Sequence, residues 1–262
     1  MALKKVISAM RFAPLLAALA LAPVHAAAPN TSGAVLIVGA TGRSGPAMID
    51  ALKAEGYTNL YALVRDASTA KTRLSSDIKL LEGDVRDPAS LKAAMQAMRG
   101  VTYIVSALGS NTFNDPANSP EMVDFQGVRN LAEAAKAAGV KHYVQVSSLG
   151  VTNPNHPLNR FGKVMDWKLK GENSLRASGV TYTIVRPGGL ADQPGGKSGI
   201  RALQGDKLEG GNITRADVAT VCVKALGDRH ARNKTLEIIA GEPGAKVDWA
   251  RFFKVLAADP RP

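Results

Sequence analysis

Val35-Leu36-Ile37-Val38-Gly39-Ala40-Thr41-Gly42-Arg43-Ser44-Gly45 joins an apolar run to a glycine-spaced turn, and a stretch with helical apolar spacing follows at once. The spacing is G-x-x-G-x-x-G. Glycine at these positions permits a tight strand-to-helix turn and lets backbone amides approach a pyrophosphate, while the helix N-terminus adds unpaired N–H groups and the positive end of its dipole. A glycine motif alone is weak. Here it closes the first strand of a strand–helix–strand unit, the context that gives it meaning.

Working outward, β-rich runs recur at 34–38, 60–64, 78–81, 101–106, 142–147, 181–186 and 235–239. Between them 46–55, 88–98, 123–138, 165–177 and 215–226 carry apolar residues at helical spacing, as in Val128, Leu131, Ala132 and Ala135. Gly56, Gly100, Gly139, Gly179 and Gly227 stand where those helices should stop. Strands that are almost continuously apolar, separated by helices, imply a parallel sheet covered on both faces. The expectation is an α/β protein: a single doubly wound, Rossmann-like domain over 34–262 with a mainly parallel seven-stranded sheet. Two long polar loops, 109–121 and 188–212, are left over, and the second is expected to lie over a ligand.

The composition is that of a globular chain. Its 262 residues are 45% hydrophobic and 21% charged, with one Cys, which excludes collagen-like, disordered and disulfide-rich classes. A net charge of +11 invites a nucleic-acid reading, but the charges are scattered and no aromatic-interleaved basic stripe appears. His25, His142, His156 and His230 show no metal-ligand spacing and no Cys joins them, so no metal is expected. Cys222 reads as a small core residue. Lys4, Lys5 and Arg11 with no acid, an apolar run at 12–21 and Val24-His25-Ala26 read as a secretory signal over 1–26, followed by a linker at 27–33. The run is short for a membrane span. The expected location is periplasmic or secreted if the signal is cleaved, and cytoplasmic if the start codon is misassigned.

Roughly 20 residues past the glycine loop, the end of the second strand distinguishes cofactors: an acid reads a ribose 2′-hydroxyl, a base a 2′-phosphate. The run is Ala62-Leu63-Val64-Arg65-Asp66. The planar fork of Arg65 suits a phosphate, so NADP is expected, with NAD the alternative should Asp66 take the ribose.

Together with Gly39 to Gly45, the segments Gly83-Asp84-Val85, Val146-Ser147-Ser148, Val185-Arg186-Pro187-Gly188-Gly189 and Thr214-Arg215-Ala216-Asp217 resemble the short-chain dehydrogenase/reductase superfamily. The resemblance is to its atypical, NAD(P)H-binding members of the NmrA-like and flavin/biliverdin reductase type. It implies that Gly39, Thr41, Gly42, Arg43, Ser44 and Gly45 hold the cofactor's phosphates with Arg65 beyond them. It places Asp84 and Val85 at the adenine, Ala107, Leu108 and Gly109 along the middle, and Pro187, Gly188 and Gly189 at the nicotinamide ribose. Members of the superfamily use Tyr-x-x-x-Lys with a Ser. Lys168 resembles that Lys, able to reach the ribose, and Ser148 the Ser, but Val164 stands where the Tyr would be. A valine donates no proton.

Three readings follow. One is an NADPH-dependent reductase of a small conjugated or aromatic acceptor, with Ser148 and Lys168 at the reacting ring. The second is a non-catalytic NADP-binding redox sensor or assembly factor, for which a protein partner stays open. The third is a nucleotide-sugar epimerase relative, which the missing Tyr disfavours. None calls for nucleic acid or a stable membrane span.

Overall fold

The computed structural model describes residues 31–98, 100–111 and 116–260. The expected signal and most of the linker lie outside these residues. In chain order the elements are β1 (Ala34–Val38), α1 (Gly45–Ala54), β2 (Leu60–Val64), α2 (Ala67–Lys71), β3 (Lys79–Glu82), α3 (Pro88–Ala97), β4 (Val101–Ser106), α4 (Val128–Ala137), β5 (His142–Val146), α5 (Val164–Ala177), β6 (Tyr182–Pro187), β7 (Gly189–Ala191), β8 (Ser198–Leu203), β9 (Asn212–Thr214), α6 (Arg215–Gly227), β10 (Lys234–Pro243) and α7 (Trp249–Phe252). A π-helical segment, Glu121–Gly127, runs straight into α4.

The main sheet has the order β3-β2-β1-β4-β5-β6-β10-β8. Its first seven strands are parallel and match the seven expected runs to within a few residues; β8 pairs antiparallel with β10 and makes an eighth. The expected loop at 188–212 is therefore corrected. It holds β7, edge strand β8 and the start of β9, and β7 pairs with β9 in a separate two-stranded sheet.

The pleat sends successive side chains to opposite faces. Val35 and Ile37 of β1 pack with Met48 and Leu52 of α1 and with Val218, Val221 and Cys222 of α6. Leu36 and Val38 pack with Leu91 of α3, Leu131 and Ala135 of α4 and Leu175 of α5. Both faces of β1 are thus covered, which is why its five residues are all buried and all apolar. Cys222 is fully buried, which pushes its thiol well above the ordinary range and leaves it an inert core residue.

Strand order reverses between β1 and β4: the chain goes on from β1 to β2 on one side and from β4 to β5 on the other. Such a switch point opens a crevice beyond the carboxyl ends of the strands. Gly39 lines it on the β1 side with φ +84°, and a Cβ added there would sit 2.8 Å from the carbonyl oxygen of Ala107 at the end of β4. Only glycine allows both the turn and that approach.

Candidate functional site: a dinucleotide crevice at the switch point

The glycine loop is closed by its own backbone. The Gly42 amide donates to the Gly39 carbonyl at 3.0 Å and the Gly45 amide to Gly42 at 3.1 Å. The amides of Thr41, Arg43 and Ser44 donate to no protein acceptor among the described residues, and Thr41, Gly42 and Arg43 are exposed. Gly45 begins α1 against β1's exit, where a Cβ would fall 1.8 Å from the Ala40 carbonyl oxygen. These features fit a diphosphate: a side-chain-free cradle, outward amides and the N-terminus of a ten-residue helix.

Of the expected cofactor residues, Lys168 lies on α5, and the others lie in the glycine loop that opens α1 or at the C-terminal ends of the parallel strands. Arg65 follows β2 and donates to the Asn118 side chain at 3.0 Å. Asp66, the alternative reader of the ribose, is committed elsewhere: its carboxylate caps α2, accepting from the amides and hydroxyls of both Ser68 and Thr69. Those hydrogen bonds, the Ser68 hydroxyl's first, draw its pKa down to about 2. Asp84 follows β3, but its carboxylate is gripped by Arg86, with Nε–O distances of 3.0 Å and an Nη2 contact of 2.6 Å. Burial works against its ionisation, yet the pairing holds it below the ordinary carboxylate range. Its backbone is engaged as well: the amide donates to Ser90 Oγ at 2.9 Å and the carbonyl accepts from the Asp87 amide at 2.9 Å. Val85 is buried, and its carbonyl accepts from Asn130 at 3.0 Å. After β4, the Ala107 amide donates back to Val38 at 3.0 Å, and Leu108 and Gly109 continue along the crevice. Pro187 ends β6 buried; Gly188 and Gly189 abut the Gly211–Asn212 backbone and side chain, where no Cβ would fit.

Ser148 ends the β5 run half-buried and donates to the Leu149 carbonyl at 3.2 Å. Lys168, on α5, stands over the crevice: its Nζ lies 4.0 Å from where a Gly109 side chain would begin. No hydrogen bond joins Ser148 to Lys168 among the described residues. The Lys168 side chain is 18% exposed and its Nζ lies 2.6 Å from Oδ1 of Asp124, whose side chain is 1% exposed.

Asp124 is a site residue that sequence reasoning missed. The available signal was an acid inside the apolar-spaced stretch 123–138. Asp192 is another: after β7 it bridges Arg43 of the glycine loop and Arg215 of α6, the latter at 2.6 Å. Arg43 and then Arg215 lower its pKa. Arg43 thus faces Asp192, and Arg65 faces Asn118.

Asp217 is structural. Its amide donates to N-cap Thr214 Oγ1 at 3.0 Å, and its carboxylate accepts from that hydroxyl and from the Gly196 amide. Tyr143 and Tyr182 are buried sheet residues bonded to Gln145 and Asp259, remote from proton transfer. His142, His156 and His230 meet separate partners, and among the described residues no group of His, Cys, Asp or Glu could hold a metal ion. Among the same residues no helix is long and apolar enough to cross a membrane.

Known proteins share this arrangement. Residues 39–229 match the model of the NAD(P)H-binding family. The chain is 36% identical over 251 residues to an uncharacterized chloroplastic protein of Arabidopsis thaliana, an alignment spanning 89% of this chain and 77% of the relative. It is 32% identical over 258 residues to sanguinarine reductase of Eschscholzia californica, spanning 85% and 94%. Among solved structures, ChuY, an anaerobilin reductase of Escherichia coli O157:H7, superposes with a TM-score of 0.65 at 26% identity, over 81% of this chain and 98% of that one. With its crevice, its glycine cradle and these likenesses, the chain belongs to the NAD(P)H-binding family of atypical short-chain dehydrogenases/reductases.

Proposed function

We propose that this protein is an NADPH-dependent reductase of a small conjugated or aromatic acceptor that works without a tyrosine acid. The observation that carries the reading is the pairing of Val164, where a tyrosine would stand, with a Lys168 ammonium held at the crevice by a buried carboxylate. When bound, the dinucleotide supplies a hydride. The chain's own part is to hold the diphosphate on the Thr41, Arg43 and Ser44 amides, to present Lys168 toward the ribose and to offer the Ser148 hydroxyl to an acceptor oxygen or nitrogen. With no tyrosine in place, a ring that takes its proton from water suits this site better than an isolated carbonyl does. Two similar proteins are named as reductases, which favours turnover over sensing. A sugar epimerase reading needs the acid that Val164 replaces.

The test is NADPH oxidation, followed at the nicotinamide absorbance, with FMN, menadione and a simple aldehyde as probe acceptors. Turnover with FMN or menadione, none with the aldehyde, and a loss of about tenfold or more in Lys168→Met or Ser148→Ala is expected. Tight NADPH binding with no turnover on any acceptor would replace this reading with the sensor.

NADP preference is assigned to Arg65, because Asp66 is occupied in capping α2. Arg65→Ala should weaken NADPH binding about tenfold or more, as for the loss of a charge-assisted contact, and leave NADH binding nearly unchanged. Equal losses in the two calorimetric titrations would show that the 2′-phosphate is read elsewhere.

Residues 1–26 are read as a targeting leader. The Arabidopsis relative is named as chloroplastic, and an organelle leader shares the cationic, acid-free composition seen here. Delivery to a compartment stocked with NADPH suits the crevice better than export does. N-terminal sequencing of the protein from its native host locates the cut.

A further inference from the structure

We infer that Asp124 is a positioning residue, which acts through Lys168 to fix the reach of α5 across the dinucleotide crevice, and that Gly171 is what lets it do so. The inference rests on the proposed role of Lys168.

Three observations converge on Asp124. Its carboxylate is almost wholly buried, yet it meets both sides of the crevice: Oδ1 takes Lys168 Nζ at 2.6 Å, and Oδ2 accepts the Ser110 amide at 3.2 Å. Ser110 directly follows Gly109, so one side chain ties α5 to the segment leaving β4. Next, Asp124 sits in the π-helical turn Glu121–Gly127. A π turn inserts a residue into helical spacing and re-aims the side chains around it, a device found most often at functional sites. The third is Gly171, one helical turn beyond Lys168. A Cβ there would fall 2.1 Å from the backbone carbonyl oxygen of Asp124 and 3.3 Å from a Val128 side-chain carbon. The two backbones approach so closely only because residue 171 has no side chain. Phe125 and Trp167, the neighbours of Asp124 and Lys168, stack with centroids 5.8 Å apart and planes 18° off parallel, which closes the same seam from outside.

A buried carboxylate is costly to desolvate and is kept where its partners are in place. Here the partners are one cation and one amide, and both border the crevice. Without the carboxylate, the flexible stem of Lys168 has no fixed end and the Gly109–Ser110 segment loses its tether. Distance errors of this kind weaken both ligand binding and turnover.

The experiment is a double-variant cycle on the full chain, read by NADPH fluorescence titration and by thermal melting, with menadione turnover as a third reading. Asp124→Asn keeps the shape and removes the charge. It should weaken NADPH binding by about tenfold and lower kcat more than it raises the KM for menadione. In a Lys168→Met background the same change should shift the NADPH dissociation constant by less than about twofold, because the group it acts through is gone. If Asp124→Asn binds NADPH as the wild type does, or if its loss is undiminished in Lys168→Met, the positioning role is overturned while that of Lys168 stands. If Lys168→Met itself changes neither binding nor turnover, the reading of the site fails instead. Gly171→Ala supplies the independent arm: a folded variant, as judged by its melt, should show the Asp124→Asn defect, and wild-type NADPH affinity in it would overturn the role given to Gly171.

Discussion

Replacing Gly45 with alanine is expected to eliminate measurable dinucleotide binding and to lower the melting temperature by several degrees. The added methyl carbon would stand 1.8 Å from the carbonyl oxygen of Ala40, 2.3 Å from its carbonyl carbon and 2.8 Å from its Cα. All three are backbone atoms of the same turn, so no rotamer change gives way. Relief requires the first turn of α1 to move off β1, and α1 is anchored by Met48 and Leu52 in the core. Overpacking costs of about 1–3 kcal/mol are typical where side chains can yield, and here they cannot, so the upper end or more is expected. Whatever movement relieves the clash also turns the Thr41, Arg43 and Ser44 amides away from a common point. Gly42→Ala is the control: its nearest contact would be the Gly39 carbonyl oxygen at 3.2 Å, a spacing that small shifts absorb. Calorimetric titration with NADPH and a melt of each variant separate the two. Near-wild-type affinity in Gly45→Ala would mean that the diphosphate is not held by this turn.

Much of the architecture could be read in the amino-acid order because a strand buried on both faces is rich in apolar residues, wholly so in β1 and interrupted by buried His142 and Gln145 in β5 and by Thr183 and Arg186 in β6. β1, β5 and β6 are buried along their whole lengths. β8 was illegible for the opposite reason. Ser198-Gly199-Ile200-Arg201-Ala202-Leu203 is a half-exposed edge strand with a glycine inside it, and its conformation is dictated by pairing with β10 rather than by its own side chains. Helix stops were legible where a left-handed residue is needed: Gly56, Gly100, Gly139 and Gly179 have positive φ. Gly227 does not. It remains in α6, and Asp228 takes over, its side chain accepting from the His230 amide as the next turn begins.

The site divides in the same way. Backbone-built parts, such as the glycine cradle, announce themselves because they constrain residue type locally. Parts built by tertiary approach do not. Asp124 and Lys168 are separated by 44 positions, and a π turn has the same apolar spacing to the eye as the start of α4. Arg65 was legible by position, but the capping duty of Asp66 depends on α2, a five-residue helix with too little periodicity to be foreseen.

The second large effect lies behind the Pro187–Gly189 end of the crevice. Glu172 on α5, 1% exposed, accepts from Arg186 Nε at 3.0 Å and Nη2 at 2.7 Å and from Arg176 Nη2 at 2.9 Å. Arg186, 6% exposed at its side chain, also reaches Asp206 at 2.9 Å, in a loop where Asp206 itself adopts φ +58°. Glu237 holds that loop by accepting the amides of Asp206, Lys207 and Leu208. Burial works against the Arg186 charge, but Glu172 and the other carboxylates raise its pKa above the usual value. Removing the central acid shifts that balance: Glu172→Ala leaves Arg186 with Asp206 and the more distant Glu237, and Arg176 with Asp259, each without its nearest buried carboxylate. Breaking a buried pair costs about 3–5 kcal/mol, set against a total stability of about 5–15 kcal/mol. For a domain of this size that is a fall of roughly 6–20 °C in melting temperature. Because Arg186 directly precedes Pro187, Gly188 and Gly189, the same variant should also weaken NADPH binding, although the glycine cradle is untouched. Substituting Glu172 and Arg186 together by Met and Leu should recover part of the stability, since it removes the buried guanidinium that lost its nearest partner while Glu237 keeps its three backbone amides, but should not recover the affinity if the network holds the Pro187–Gly189 turn in place. Equal recovery of both would show that the network serves stability alone, and a Glu172→Ala melt at the wild-type temperature would show that the pair contributes nothing net.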